Sequence, residues 1–201
     1  MANRLAANPQ PARLLQSETV LRVNYQDLQA ADKIAGALII IISGLREHPA
    51  AQQRIVLCIG SDRSTGDSLG PLVGTYLKKN RPPRTAVWGT LADPVHALNL
   101  ERYRAELDLF SEKAAKPLVI AVDACLGRPG SVGLIEVGKG PLLPGAGVNK
   151  KLPPVGQIYL SGIVNLGGFM EQMVLQSTRL HHVLEISTVI GEALLQALAR
   201  T

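Results

Sequence analysis

Aromatic residues are scarce in this chain: Phe, Trp and Tyr make up 3% of its 201 residues. So few rings do not supply the stacking platforms on which single-stranded nucleic acids are held. Charge is sparse too, at 18%, and the net +5 is scattered. Its nearest approach to a cluster, Lys78, Lys79, Arg81 and Arg84, falls at an expected helix end and the loop after it, where cations complement the helix dipole. No nucleic-acid partner is expected. Only two cysteines occur, Cys58 and Cys125. Neither sits in a CxxC or Cys/His spacing, which argues against structural zinc and fits a reducing, cytoplasmic compartment. Long hydrophobic runs are missing. The most apolar segment, 34–45, is shorter than the roughly 20 residues that span a bilayer, and it reads as an amphipathic, core-packing helix with no membrane role. The start of the chain shows no secretory signal pattern; it is polar and Pro-containing to about Glu18, and residues 1–26 are expected to be an N-terminal arm.

Apolar residues are plentiful, 46% of the chain, enough for one large domain over 27–201 with a sizeable core. The most informative stretch is Arg54–Pro71, RIVLCIGSDRSTGDSLGP. Ile55–Ile59 is a continuous, partly β-branched run of the kind found in strands buried on both faces. An acidic, glycine-rich turn follows. Then the period changes: Leu69, Leu72, Val73, Tyr76 and Leu77 share one helical face. In open α/β sheets, such a turn at the carboxyl end of a strand is where ligands collect. Asp67 stands where a helix N-cap would be.

The remaining pattern alternates. Helices are expected over about 27–47, 68–79, 94–109, 167–177 and 180–199. Strands are expected over 54–60, 84–89, 117–123, 132–138 and 156–163, with a long Gly/Pro loop at 138–154. Alternation of this kind implies a mostly parallel central sheet covered on both faces, an α/β/α sandwich.

Asp67 and Asp123 are the pair to weigh for chemistry. Each follows or ends an apolar strand of what should be one parallel sheet, so both should emerge at the same edge. Two close carboxylates share a proton and can serve as base and acid on a water attacking an amide; they can also hold a divalent cation. The structural alternative is a helix cap for Asp67 and a strand-end turn for Asp123. Asp62 and Ser64 share the Asp67 turn, and Ser64 can equally satisfy turn amides. The turn lacks both the P-loop spacing and G-x-G-x-x-G, which disfavours nucleotide and dinucleotide binding. His96, in DPVHALN, is expected to open a helix capped by Asp93 with Pro94 at its first position; a lone histidine there is more often structural, the alternative being a site or metal role. His181 and His182 are adjacent on a helix, a poor metal pair. Cys125 could line the crevice, but no histidine is tied to it by motif. The SGIVNLGGFM segment (161–170) ends a strand and opens a helix. Its Gly162, Asn165 and Gly167 are candidates for backbone approach to a ligand, the alternative being a close strand–helix turn.

Three segments together resemble a known family. IGSDRSTGDSLGPLVG (59–74), YLSGIVNLGGFME (159–171) and VLQSTRL (174–180) resemble the YyaC-type sporulation proteins of spore-forming bacteria, over roughly residues 30–199. Two families look like more distant relatives. The germination protease of spores carries a D-A-L-G-P turn and a later D-A strand end, whose aspartates are held to be catalytic; Asp67 and Asp123 match them. The hydrogenase maturation proteases carry acids at the same two positions and use them with a histidine to recognise nickel in their target. This chain has Val164 and Asn165 near that histidine's place, a departure that favours the metal-free, two-aspartate version. The resemblance implies a hydrogenase-maturation-protease-like sandwich. It implies a sporulation-associated peptidase that needs no cofactor and acts on a protein or peptide, such as a spore protein, in the cytoplasm of forespore or mother cell. Asp67 and Asp123 would be catalytic, and Asp62, Ser64, Gly162, Asn165 and Gly167 would lie on the substrate side. The alternatives are a non-catalytic binding or regulatory protein on the same fold and a nickel-dependent protease.

Overall fold

A computed structural model describes residues 17–45, 53–113, 116–145 and 152–201. The first part of the expected arm, the end of the first expected helix and residues 146–151 of the long loop lie outside the described residues. The order is β1 (Glu18–Asn24), α1 (Ala30–Gly44), β2 (Arg54–Cys58), α2 (Leu69–Asn80), β3 (Thr85–Trp88), α3 (Leu100–Lys113), β4 (Leu118–Gly127), β5 (Leu134–Lys139), β6 (Ile158–Leu166), α4 (Glu171–Gln176) and α5 (Leu180–Arg200). The six strands form one sheet in the order β1-β5-β6-β4-β2-β3. The β3–β2, β2–β4 and β4–β6 pairs are parallel; β5 runs antiparallel to both β6 and β1.

The strand alternation sorts the core into two layers. Val56 and Cys58 of β2, Ile120 and Val122 of β4 and Leu160 of β6 face α1, α2 and α5. Ile55, Leu57, Val119, Ala121 and Tyr159 face the other way, toward Leu100 and Tyr103 of α3. Every residue of β2 is buried, which is why its sequence is apolar without alternation. α5 is long and apolar enough to cross a membrane by length and composition. Its apolar face, from Val183 through Ile186, Ile190 and Leu194 to Leu198, is buried in the core beside α1 and α2. The molecule is thus a three-layer α/β/α sandwich with a mostly parallel sheet.

Two local expectations change. Residues 18–24 form an edge strand instead of belonging to an arm. Val23 is buried there, and Arg22 faces Glu136 across the β1–β5 ladder with Nε 2.8 Å from Oε1. The helix expected from 94 begins at Leu100. Asp93 closes a turn with Thr90 instead of capping, its amide donating to Thr90 Oγ1 at 3.1 Å. Val95 is fully buried and bridges in parallel to Ile59, extending the sheet by one residue. Burial of Val95 outweighs the local preference of Asp-Pro for a helix start.

Candidate active site

A cleft of about 460 Å³ opens at the carboxyl edge of β2 and β4, lined by Asp67, Asp123, His96, Ser64 and Arg63 among others. Asp67 reaches it through a tight turn. After β2, the Ile59 amide donates to Val122 O at 2.7 Å, and the Ser61 amide donates to the Asp67 carbonyl at 3.0 Å. Gly60, at φ 142°, makes this closure possible: a Cβ there would lie 2.0 Å from the Asp67 carbonyl oxygen. Gly70 does the same from the helix side, where a Cβ would lie 2.0 Å from the Ile59 carbonyl oxygen. The IGSDRSTGDSLG sequence is therefore a folded-back turn whose two ends touch backbone to backbone.

Asp67 is not a cap. It lies in a one-turn 3-10 helix, Gly66–Ser68, and neither that turn nor α2 has a side-chain N-cap hydrogen bond. Ser68 precedes α2, and its hydroxyl donates back to Thr65 O at 2.6 Å. The Asp67 carboxylate is left to the cleft. Burial raises its pKa, while the Ser61 amide and the nearby His96 work in the opposite direction. Asp123 sits in β4, opposite Ser161 of β6, and is only 7% exposed. Its pKa is held well above the usual carboxylate range by burial and then by the charge of Asp67. The Ala124 amide, 2.8 Å from Oδ1, and the Gly145 amide counter this in part. The two acids thus interact electrostatically in one cleft, and the more buried one holds its proton more tightly.

The other expected residues divide. Ser64 lines the cleft, and its Oγ is buried without a hydrogen-bond partner among the described residues. Asp62, two residues before it, is exposed and is not part of the lining. Gly162, Asn165 and Gly167 do not line the cleft either. A Cβ on Gly162 would meet Leu69 Cδ2 at 2.5 Å and Ile186 Cγ2 at 2.9 Å, so the glycine admits core side chains. Asn165 ties β6 to α4, its Nδ2 donating to Thr178 Oγ1 at 3.1 Å and to Val174 O at 3.4 Å. The Gly167 amide donates to Gly127 O at 2.8 Å, closing the strand end. Cys125 is outside the lining; burial pushes its thiol up to about 11, against a hydrogen bond with Ser161. Such a thiol is a poor nucleophile at neutral pH. Cleft residues that sequence reasoning passed over include Arg63, Gly145, Gln172 and Gln176. The last two stand four apart on α4, a spacing that puts them on one face.

This architecture defines a class. The fold is that of the hydrogenase maturation proteases: the chain matches the crystal structure of the nickel–iron hydrogenase maturation protease HycI from Thermococcus kodakarensis with a TM-score of 0.51. The match covers 82% of this chain and 99% of that one at 18% identity, a likeness that establishes the fold alone. The chain belongs to the family described as "protein of unknown function (DUF1256)", whose model matches residues 22–193. It is 50% identical over 172 residues to the uncharacterized protein YyaC of Bacillus subtilis, covering 86% of this chain and 80% of that protein.

Proposed function

We propose that this chain is a peptidase that hydrolyses peptide bonds of a protein substrate with the Asp67–Asp123 pair. One observation carries the reading: two carboxylates meet in a single cleft, and burial together with their mutual repulsion favours one proton between them. Asp123 holds that proton and Asp67 is the carboxylate. In the proposed reaction Asp67 takes a proton from water as the water oxygen bonds to the scissile carbonyl carbon. The carbonyl π pair moves onto oxygen, which receives the proton of Asp123. The tetrahedral diol then collapses: Asp123 regains a proton from one hydroxyl, Asp67 protonates the nitrogen, and the C–N bond breaks. Atoms balance to one water consumed, one acid and one amine released. The cleft volume lies in the range usual for ligand sites, and the amides of Gln172 and Gln176 offer donors and acceptors suited to a peptide backbone.

The substrate proposed is a protein or peptide of a spore-forming cell, acted on in its cytoplasm. The motif resemblance to spore germination protease supports this finer part. A nickel-recognising reading is less well supported, because Asn165 stands near the place of the histidine and its amide is engaged by Val174 and Thr178. The test is incubation of the protein with a spore-lysate peptide library, reading new termini by mass spectrometry. Cleavage should occur with wild type, persist in chelator and vanish in Asp67→Asn and Asp123→Asn. Cleavage that both variants retain would remove the acid–base pair. A wild-type protein that binds peptides without cutting them would favour the binding-protein alternative.

A further inference from the structure

The carboxylate pair leaves His96, a histidine in the same cleft, without a task. His96 lies between β3 and α3, and its main chain is pinned on both sides. Its amide donates to Asn99 Oδ1 at 2.8 Å, and its carbonyl accepts the amides of Asn99 at 3.0 Å and Leu100 at 2.9 Å. Asn99 is itself held by Nδ2 donating to Pro94 O at 3.0 Å. The ring is fixed as well. Its Nδ1 accepts the Leu98 N–H at 3.2 Å. A ring nitrogen that accepts an N–H carries no proton, so the proton of the neutral imidazole sits on Nε2. No hydrogen bond within the described residues uses that Nε2–H, and His96 lines the same cleft as both aspartates.

The hydrolysis needs such a group. Attack on a peptide carbonyl builds negative charge on oxygen, here beside two acids, one of them ionised. A donor aimed at that oxygen, held in place before the reaction, is the usual remedy. We propose that His96 is a catalytic hydrogen-bond donor whose Nε2–H binds the carbonyl oxygen of the scissile peptide, in the same cleft as the carboxylate that activates water. This rests on the peptidase reading above. His96 transfers no proton in this role. It stabilises the developing oxyanion while the proton from Asp123 arrives, and it ends the cycle unchanged.

Two measurements test it. Nitrogen-15 NMR of the imidazoles at neutral pH should find His96 as the Nε2-protonated tautomer; an Nδ1-protonated ring would overturn the proposal. Hydrolysis of a fluorescence-quenched peptide mixture should fall about 10²–10³-fold in kcat in His96→Leu, with KM nearly unchanged. His96→Gln, whose side-chain amide can still donate, should recover at least a tenth of wild-type kcat. A His96→Leu enzyme within a few-fold of wild type, or a loss confined to KM, would refute the donor role. If wild type itself cleaves nothing, the peptidase reading falls separately. The donor is then decided by titration with N-methylacetamide, a minimal peptide unit: a shift of the His96 Nε2–H resonance supports it, and no shift refutes it.

Discussion

Replacing Gly70 by alanine probes how tightly the fold holds the acid. Gly70 sits in the first turn of α2, and an added Cβ would lie 2.0 Å from the Ile59 carbonyl oxygen, where real Cβ contacts do not fall below 3.0 Å. The helix start must therefore move off the end of β2 by about 1 Å, the difference of those two distances. Neither atom is at the end of a flexible side chain, so the shift must be taken by backbone. Asp67 is three residues earlier and moves with it. Overpacking of this kind costs about 1–3 kcal/mol, offset by about 0.4–1 kcal/mol from the reduced freedom of the unfolded chain. The net should lower Tm by a few degrees for a domain of this size. The larger effect should be on turnover, since a displacement of about 1 Å at a reacting group can cost about 10²-fold. Gly36 in α1 is the internal control, because nothing lies within 4 Å of its added Cβ. Gly36→Ala should raise stability by up to about 1 kcal/mol and leave hydrolysis intact. Urea unfolding and the peptide-mixture assay, run on both variants, provide the readout. A Gly70→Ala protein as stable and as active as Gly36→Ala would refute the close-packed turn and its role in placing Asp67.

Further predictions concern charge and burial. Asp123 has a folded-state pKa above its unfolded value, so the folded state binds its proton more tightly. Its contribution to stability is fully present below about pH 4, the ordinary aspartate range, and is lost as pH rises toward the folded pKa. Asp123→Asn should therefore match wild type in acid and exceed it in Tm at neutral pH; a variant that is less stable at pH 7 would contradict the buried, protonated acid. Arg54 is 3% exposed at the start of β2 and donates from Nη1 to Leu198 O at 2.9 Å and Thr201 Oγ1 at 3.1 Å, closing the last turn of α5. Arg54→Ala should cost about 2 kcal/mol in urea unfolding through the lost charged hydrogen bonds, and an unchanged midpoint would show that α5 does not depend on that contact.

What the sequence makes legible follows the length scale of the cause. β2, the acidic turn and α2 could be read because a fully buried strand and an amphipathic helix each impose a period on neighbouring residues. The convergence of Asp67 and Asp123 followed from parallel strands sharing an edge. β1 escaped because it is an edge strand with only Val23 fully buried, although the alternation of Leu21 and Val23 with Arg22 and Asn24 was visible. The start of α3 was misplaced because Asp93-Pro94 imitates a cap, while the deciding contact, Val95 against Ile59, joins residues far apart in the chain. Gly162, Asn165 and Gly167 looked like a ligand loop because glycine and asparagine serve close packing and strand–helix ties equally well. The Gly145 amide beside Asp123 and the Leu98 amide on His96 depend on loop geometry that no local pattern announces.

The central claim is that Asp67 and Asp123 are a coupled pair sharing one proton. Carbon-13 NMR of the two side-chain carboxyls, followed through a pH titration in wild type and in Asp67→Asn, tests it most directly. The structure predicts that Asp123 stays protonated well above the usual aspartate range, and that removing the Asp67 charge lowers its midpoint while burial keeps it elevated. Two carboxyls that titrate independently near their ordinary value of 3.8, with Asp123 indifferent to the Asp67 substitution, would contradict it.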